Sequence, residues 1–486
     1  MKLFPTVLCL AVAGTAMLPL AGTAQTLTEG EAVALAVERN PGLQASLLDR
    51  RAAREAIRAA EYRYEPVFSG GVSGGHTESS GGSSSDGLAV DAGILWTFPL
   101  GTSISAGASG SWTASQSSRS TMASTYGGPS LGVEARVEAS QPLLRGAGLD
   151  VGEAELRSSR LAEVVAGYQR DEEAAALLQD VRTAYWELWY AQAAWAVQQT
   201  AHDLAARQLA EAQARQDALG LLAGSEVLRF ASAEASLAES LAQAEADRRA
   251  RALELGRLLD LPPEVSRELE AVEPLPPPPV PESTVRAAEL ARGSSSTLLR
   301  LAAQVELSRD QVDVAEDALQ PRLDVTAAFA VGESWIGTDY AATWDRPYFT
   351  ATAGLRLEFP FQNDRAEAQW EESRLRVEAA EERLDEQIRA VETQAAVLLD
   401  RHETAGRRLD LARQSAAAAG RLAEAERGRL QLGLSTALEV VQAQEDQRAG
   451  DLRVLRAEVD RATAALAIGQ LTGDLLASYE FPDEAE

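Results

Sequence analysis

The chain has 486 residues and a formal net charge of −28, with 73 acidic and 45 basic residues. This acidic balance excludes a nucleic-acid-binding protein, because contact with phosphates requires basic patches. The single cysteine, Cys9, excludes a fold that depends on intramolecular disulfides.

Residues 1–24 have the features of an export signal. Lys2 provides the charged start, a largely apolar stretch follows, and Gly22 and Ala24 are the small residues expected before a cleavage site. Prolines and a glycine interrupt the apolar stretch, whereas a membrane anchor needs about 20 consecutive apolar residues. We therefore predict that the mature chain starts at Gln25 and contains no cysteine.

The mature sequence repeats itself, which indicates an internal duplication. One set of residues recurs 255 positions later: Thr28, Ala32, Ala36, Leu43, Ala60, Glu61 and Pro66 match Ser283, Ala287, Ala291, Leu298, Ala315, Glu316 and Pro321. A second set recurs 213 positions later: Gly220, Leu221, Glu226 and Val227 match Gly433, Leu434, Glu439 and Val440. We predict a first repeat over residues 25–260, a second over 283–473, and an acidic tail over 474–486. The proline-rich residues 261–282 between the repeats are predicted to be an extended linker without helix.

Each repeat predicts a very long helix followed by a shorter return helix. The long helices cover residues 153–219 and 366–432, and the return helices cover 226–260 and 436–472. At 1.5 Å per residue, each long segment corresponds to about 100 Å of helix. No single globular core is that wide, so we predict long helix hairpins that pack side by side.

Between the helices, apolar and polar residues alternate with the period of two that is typical of strands. The first repeat has four such segments within residues 67–141, and the second has two, at 322–331 and 348–359. Segments of about ten residues with one apolar and one charged face favour a transmembrane barrel with a water-filled lumen. An antiparallel sheet packed on helices alternates in the same way and is the alternative.

The barrel hypothesis makes two predictions about side chains. Aromatic residues near the segment ends are expected to form a girdle at the membrane interface; they are Trp96, Trp112, Trp335, Trp344 and Tyr348. The charged residues expected to face the lumen are Glu134, Arg136, Glu138, Arg356 and Glu358.

Four segments resemble the TolC family of outer-membrane efflux proteins. They are LTEGEAVALAVERNPGL at 27–43, GLLAGSEVLRFASAE at 220–234, LLDLPP at 258–263 and GLSTALEVVQAQE at 433–445. The resemblance implies a mostly α, α+β fold: a trimeric outer-membrane β-barrel that continues into a long periplasmic α-helical barrel. It also implies a homotrimer in outer-membrane lipid that works with a periplasmic adaptor (membrane fusion protein) and an inner-membrane pump. Such a channel conducts substrates passively in tripartite efflux or type I secretion.

The family pattern has four strands per subunit, whereas this sequence predicts six. Six strands per chain would give eighteen in a trimer. The alternative is that the additional hairpin packs outside the barrel.

The resemblance further implies a gate at the tips of the two helix hairpins. Gly220 and Gly433 lie in the two turns, and Glu226 and Glu439 match acidic positions of the gate motif. Gln442 stands where the motif has its second acidic residue. A ring of three Glu439 side chains would attract cations. The alternative is that Glu439 is a solvated glutamate at a helix start.

The residues that hold the gate shut must differ from the family pattern. Leu430 and Ser435 occupy the positions of a tyrosine and an arginine in the best-known member. We therefore expect a different or weaker latch in this chain.

The sequence gives no indication of an enzyme, a cofactor or a metal site. Its three histidines, at 76, 202 and 402, are far apart in the sequence, and no zinc-protease motif is present. Besides the channel, we consider a periplasmic coiled-coil adaptor or structural scaffold. The duplicated strand segments favour the channel, located in the bacterial outer membrane and extending into the periplasm.

Overall fold

The computed structural model describes residues 25–78, 80, 83–117, 129–219, 224–272, 274–337 and 347–479. The predicted export signal and residues 480–486 of the predicted tail lie outside this range. The chain divides into two units. The hairpin unit comprises residues up to 40, 180–277 and 402–464, and the sheet unit comprises 41–179, 278–401 and the residues from 465 onward.

The chain is mostly helical, with eleven helices and eight strands among the described residues. The helices are α1 Glu29–Arg39, α2 Pro41–Tyr62, α3 Leu149–Gly152, α4 Ala154–Leu219, α5 Gly224–Leu258, α6 Pro263–Ser266, α7 Thr284–Ser294, α8 Ser296–Asp317, α9 Asp364–Gln431, α10 Ala437–Leu471 and α11 Asp474–Ala477. The strands are β1 Gln25–Leu27, β2 Val67–Glu78, β3 Ser83–Thr97, β4 Ser103–Ser117, β5 Ser130–Pro142, β6 Leu269–Ala271, β7 Arg322–Ile336 and β8 Tyr348–Glu358. The long helices α4 and α9 have 66 and 68 residues.

The sheet unit is built on a six-stranded antiparallel sheet in the order β2-β3-β4-β5-β7-β8. The first four strands come from the first half of the chain and the last two from the second half. Strands β2 and β7 each start directly after a proline of the matched pair, Pro66 and Pro321. This placement has a physical reason, since proline lacks the N–H that a ladder position would use.

Helices of the sheet unit form an apolar cluster of their own. Ala291 on α7, Leu298 on α8 and Val391 on α9 are buried together. Leu384, Ile388 and Leu471 pack against them. The cluster therefore joins α7, α8, α9 and α10.

The two short helices at the repeat starts begin at matched caps. Thr28 accepts a hydrogen bond from the N–H of Glu31, and the Glu31 side chain accepts one from Thr28, which completes a capping box for α1. Ser283 accepts from the N–H of Arg286 and caps α7. The recurrence of Thr28 as Ser283 thus preserves a helix start.

Buried polar contacts of Glu29, Arg182 and Tyr185, together termed the polar clasp, hold the start of the chain in the hairpin unit. The carboxylate of Glu29, which is 2 % exposed, pairs with Arg182 on α4 and accepts from the backbone N–H of Leu275 at 2.6 Å. The hydroxyl of Tyr185 donates to the carbonyl of Leu27 at 2.7 Å and accepts from the N–H of Val272 at 2.9 Å. Burial raises the pKa of Tyr185 to about 12, so the hydroxyl keeps its proton. These contacts fasten both β1 and the chain after β6 to α4.

The prediction that residues 261–282 contain no helix is wrong in part. The segment begins with a one-turn helix, α6, and continues into β6, which pairs in parallel with β1. Proline is compatible with the first turn of a helix, because its missing N–H has no helical partner there. Pro263 occupies such a position, and the described residues of the segment beyond β6 belong to neither helix nor strand.

Candidate functional site

The register of the sheet places all five predicted lumen residues on one face. Glu134, Arg136 and Glu138 alternate along β5, and Arg356 and Glu358 lie on β8. Arg136 on β5 is aligned with Ala330 on β7, which is aligned with Thr350 on β8. Arg356 lies six residues after Thr350 on the same strand, and it is aligned with Asp324 on β7. Because neighbours in one row of a ladder point to the same side, these residues share a face, termed the polar face below.

The rest of the polar face is formed mainly by small residues. Strands β2, β3 and β4 contribute Ser69, Gly71, Ser73, Gly75, Thr77, Ser85, Gly87, Ala89, Gly93, Thr97, Ser103, Ser105, Gly107, Ser109, Ser111 and Thr113. Among the described side chains of these three strands, Asp91 is the one charged group on this face. Val67 and Leu95 are apolar exceptions at one end. Charge is therefore concentrated on β5, β7 and β8.

Two ion pairs on the polar face each join residues two positions apart on one strand. Arg136 Nη2 lies 3.0 Å from Glu138 Oε2 on the same strand, and Arg322 Nε lies 2.8 Å from Asp324 Oδ2. Arg136 and Glu138 are exposed, so their pairing contributes little stability. Positive and negative charges therefore alternate on this face, and the face is hydrophilic.

Tyr348 was predicted to belong to an interfacial girdle, and this prediction is wrong. Its position on β8 is opposite Gly332, which places it on the polar face. Its hydroxyl donates to Glu134 Oε2 at 2.9 Å, and the ring passes over Gly332, where an added Cβ would lie 2.4 Å from the tyrosine oxygen. The strand period, rather than closeness to a strand end, decides which face an aromatic residue joins.

The opposite face of the sheet is largely apolar and mostly exposed. Its titratable residues lie in the half of the sheet nearer Trp112, and they are His76, Glu78, Asp86 and Glu333. The apolar side chains most exposed on this face are Phe68, Val72, Phe349, Leu355 and Leu357, at 67–75 %. Trp112 and Trp335 are both aligned with Leu131 near one end of this face, and Trp96 lies near the other end. The predicted girdle residue Trp344 lies outside the described residues. Exposed apolar patches of this kind mark a surface that binds lipid or another protein.

The two hairpin tips meet in the hairpin unit. Phe230 on α5, Ala212 on α4 and Ala437 on α10 form a buried cluster, against which Leu209, Val227, Leu430 and Val441 pack. Leu430, at the position of the family's tyrosine, is therefore part of an apolar contact between the tips. Glu226 lies in the first turn of α5, next to Val227. Gly220 lies outside the described residues.

Glu439 is exposed and completes a capping box at the start of α10. Its Oε2 accepts from the N–H of Thr436 at 2.8 Å and from the hydroxyls of Thr436 and Ser435. These hydrogen bonds lower the pKa of Glu439, and the bond from the Thr436 backbone contributes more than either of those from the two hydroxyls. The carboxylate is therefore charged at neutral pH. Gln442, one turn further on, is exposed as well.

A second polar network at this tip was not predicted. Glu426, on the last turns of α9, pairs with Arg429 at 2.7 Å and accepts from the Ser435 hydroxyl at 2.6 Å. Arg429 also donates to the carbonyl of Leu434 at 3.1 Å. Gly433 supports this turn with a positive φ of 73°, which glycine adopts without strain. The spacing of three between Glu426 and Arg429 was the available sequence signal.

In the part of the chain that the structure describes, no group of His, Asp and Glu side chains could hold a metal ion. Over the same residues, no helix combines the length and apolar character that crossing a membrane requires.

Comparison with known proteins identifies the second half of the chain. Residues 287–474 match the family model described as outer membrane efflux protein. This segment is an outer membrane efflux protein domain. The match confirms the outer-membrane efflux family predicted from the sequence, and this family is not an enzyme family. No curated protein shows significant sequence similarity to the chain.

Solved structures show that the fold of outer membrane efflux proteins extends over nearly the whole chain. The outer membrane protein VceC from Vibrio cholerae aligns with a TM-score of 0.69 at 15 % identity, covering 92 % of this chain and 96 % of that protein. A membrane protein from Pseudomonas aeruginosa aligns with a TM-score of 0.70 at 14 % identity, covering 92 % and 93 %. The CmeC outer membrane channel from Campylobacter jejuni aligns with a TM-score of 0.69 at 13 % identity, covering 92 % and 85 %.

Proposed function

We propose that the chain is one subunit of an outer-membrane channel. Three copies would close a barrel in the membrane, and their helices would form a periplasmic tunnel. The channel conducts substrates passively in a tripartite efflux or type I secretion system, with a periplasmic adaptor and an inner-membrane pump as partners. The two matched halves of the chain are the products of a duplication.

One observation carries this proposal: the sheet has an exposed apolar face and a polar face that share the same strands. The strands of 11–15 residues are long enough to cross a bilayer, since a tilted transmembrane strand needs about 9–11. In a closed barrel the apolar face contacts lipid and the polar face contacts water. A periplasmic adaptor or scaffold would leave the apolar face in water, where its exposure is unfavourable.

Fractionation and bilayer recording test the channel directly. We expect the protein in the outer-membrane fraction as a trimer, and we expect purified trimers to give discrete conductance steps in a planar bilayer. Recovery as a water-soluble monomer, or trimers that never conduct, would overturn the proposal.

The proposal places Glu439 at the gate, and its charge can be tested apart from its capping role. Glutamine also completes a capping box, so Glu439→Gln removes the charge and keeps the helix start. We expect this variant to lose part of the cation preference and part of the block by divalent cations. Glu31→Gln is the matched control, because Glu31 completes the capping box of α1. Unchanged selectivity in Glu439→Gln would remove Glu439 from the gate.

A further inference from the structure

We propose that all six strands of the sheet enter the barrel wall, so that three chains close an eighteen-stranded lumen that admits bulky hydrophilic solutes. This inference rests on the proposed channel function. It departs from the four strands per chain that the family resemblance implies. The hairpin β2–β3 decides between the two arrangements, because only this hairpin exceeds the four-strand pattern.

Pairing along the hairpin excludes β4 as the edge strand of the chain. Strand β3 pairs with β4 from Ser83–Ser117 to Thr97–Ser103, and β4 pairs with β5 from Ser103–Ser140 to Thr113–Ser130. Both backbone edges of β4 are therefore hydrogen-bonded within one chain. A neighbouring chain can pair only at β2 or at β8, which are the outer strands of the sheet.

The hairpin also continues both faces of the sheet. Phe68 and Val72 on β2 extend the apolar face with exposures of 75 % and 74 %, and Ser69 and Ser73 extend the polar face. A hairpin packed on the outside of the barrel would contact the wall with one face and lipid with the other, so both of its faces would be apolar. The serine, glycine and threonine side of β2 and β3 fits water instead.

Strand direction allows the barrel to close. Each strand of the sheet is antiparallel to the next, so β2 and β8, the first and sixth strands, run in opposite directions. When β8 of one copy lies beside β2 of another copy, the new pair is therefore antiparallel like all the others. Any even number of strands per chain satisfies this requirement, and six does so without unpaired strands.

The lumen of such a barrel is wide. Barrel diameter grows roughly in proportion to strand number, so eighteen strands give about 1.5 times the diameter and about twice the cross-section of twelve. The strands that the hairpin adds line this space with short side chains, and Asp91 lies over Gly71, where an added Cβ would be 2.8 Å from the carboxylate. Short side chains leave the additional space open to hydrated solutes.

Cysteine crosslinking between chains tests the arrangement. In a Cys9→Ala background, Thr352→Cys on β8 is combined with Ser69→Cys, Ser73→Cys or Thr77→Cys on β2, which sample several registers between copies. The controls combine Thr352→Cys with Ser105→Cys, Ser109→Cys or Thr113→Cys on β4. We expect oxidation to give linked dimers and trimers with a β2 partner only. Links with a β4 partner would place the hairpin outside the wall and overturn the inference, while the channel proposal would survive. Failure of both sets to link, together with a monomer in solution, would overturn the channel itself.

A deletion provides an independent measurement. Strands β2 and β4 run in the same direction and start at the same end of the sheet, so removal of residues 67–102 joins Pro66 to Ser103 and leaves four strands. We expect the full channel to admit uncharged polymers up to a limiting size, and the shortened trimer to exclude polymers larger than about two-thirds of that size. The polymers are added on the side of the β4–β5 and β7–β8 connections. An unchanged size limit would overturn the inference. If the shortened chain does not fold, the crosslinks decide.

Discussion

The two halves of the chain agree in their helices and differ in their strands. Helices α1 and α7 both have 11 residues, α2 and α8 both have 22, and α5 and α10 both have 35. The sheet, by contrast, takes four strands from the first half and two from the second. A helix that packs along its length is constrained by its neighbours at every turn. An added antiparallel hairpin returns the chain to the end of the sheet where it started, so it leaves the flanking helices unchanged.

Matched positions also differ in a systematic way. Ala32 and Ala36 on α1, like Ala287 and Ala291 on α7, are fully or almost fully buried. Buried Glu29, however, is matched by exposed Thr284. The duplicated halves therefore share their small packing residues, and the first half has a polar clasp of its own.

The largest expected effect is on the ion pair of this clasp. Arg182→Leu leaves the carboxylate of Glu29 buried without its cation, and loss of one partner of a buried pair costs about 3–5 kcal/mol. We expect a correspondingly lower midpoint in urea unfolding of the detergent-solubilised protein, followed by circular dichroism. Arg309→Leu is the control, because its pair with Glu381 is exposed to solvent and contributes little to stability. Equal losses in the two variants would contradict the special role of the clasp.

A smaller loss is expected at the tyrosine of the clasp, whose match in the second half is buried Leu398. Tyr185→Phe removes the hydroxyl that donates to the Leu27 carbonyl and accepts from the Val272 N–H. These two groups then keep only their own 3.4 Å hydrogen bond, so we expect a cost of about 1 kcal/mol. The same unfolding measurement applies. Tyr190→Phe is the control, since it keeps the ring that lies 5.5 Å from the Arg456 guanidinium. A wild-type midpoint in Tyr185→Phe would show that water replaces the hydroxyl.

The elements that could be predicted from the sequence are those with long, uniform patterns. The long helices were predictable because no proline interrupts residues 153–219 or 366–432, and the structure begins and ends them within two residues of those limits. The common face of Glu134, Arg136, Glu138, Arg356 and Glu358 followed from the period of two. Both patterns are properties of single segments, and no knowledge of neighbours was needed.

What could not be predicted depends on partners far away in the sequence. The three-residue strands β1 and β6 form only because they pair with each other across more than two hundred residues. Tyr348 joins the polar face through Gly332 and Glu134, which belong to two other strands. The network of Glu426, Arg429 and Ser435 appears only once the turn between α9 and α10 is closed.

The two hairpin tips also differ, because the helix that follows the turn starts in a different way in each half of the chain. Thr436 caps α10 through a hydrogen bond from the N–H of Glu439, and a threonine-to-alanine change at a cap costs about 1 kcal/mol. In the first tip, α5 begins at Gly224, so Ser225 lies inside the helix. We expect Thr436→Ala to lower the urea midpoint and increase proteolysis at the second tip, and Ser225→Ala to do neither. Equal changes in midpoint and proteolysis in the two variants would mean that α5 and α10 are capped in the same way.

The smallest expected effect is a pH dependence of stability that comes from His402 on α9. Its match in the first half is Trp189, which does not titrate. Burial, and then the nearby Arg461, lowers the pKa of His402 below its usual 6.5 in the folded chain. Between that lowered pKa and 6.5, the unfolded chain binds more protons than the folded chain, so the free energy of unfolding falls as the pH falls through this window. We expect the urea midpoint of the wild type to decrease from pH about 7.5 to about 5.5 by more than that of His402→Gln, which cannot titrate. Parallel pH profiles would mean that the imidazole is as accessible to protons in the folded chain as in the unfolded one. A steeper profile in the wild type would show that protonation of His402 destabilises the folded chain, an effect that Trp189 cannot produce in the first half.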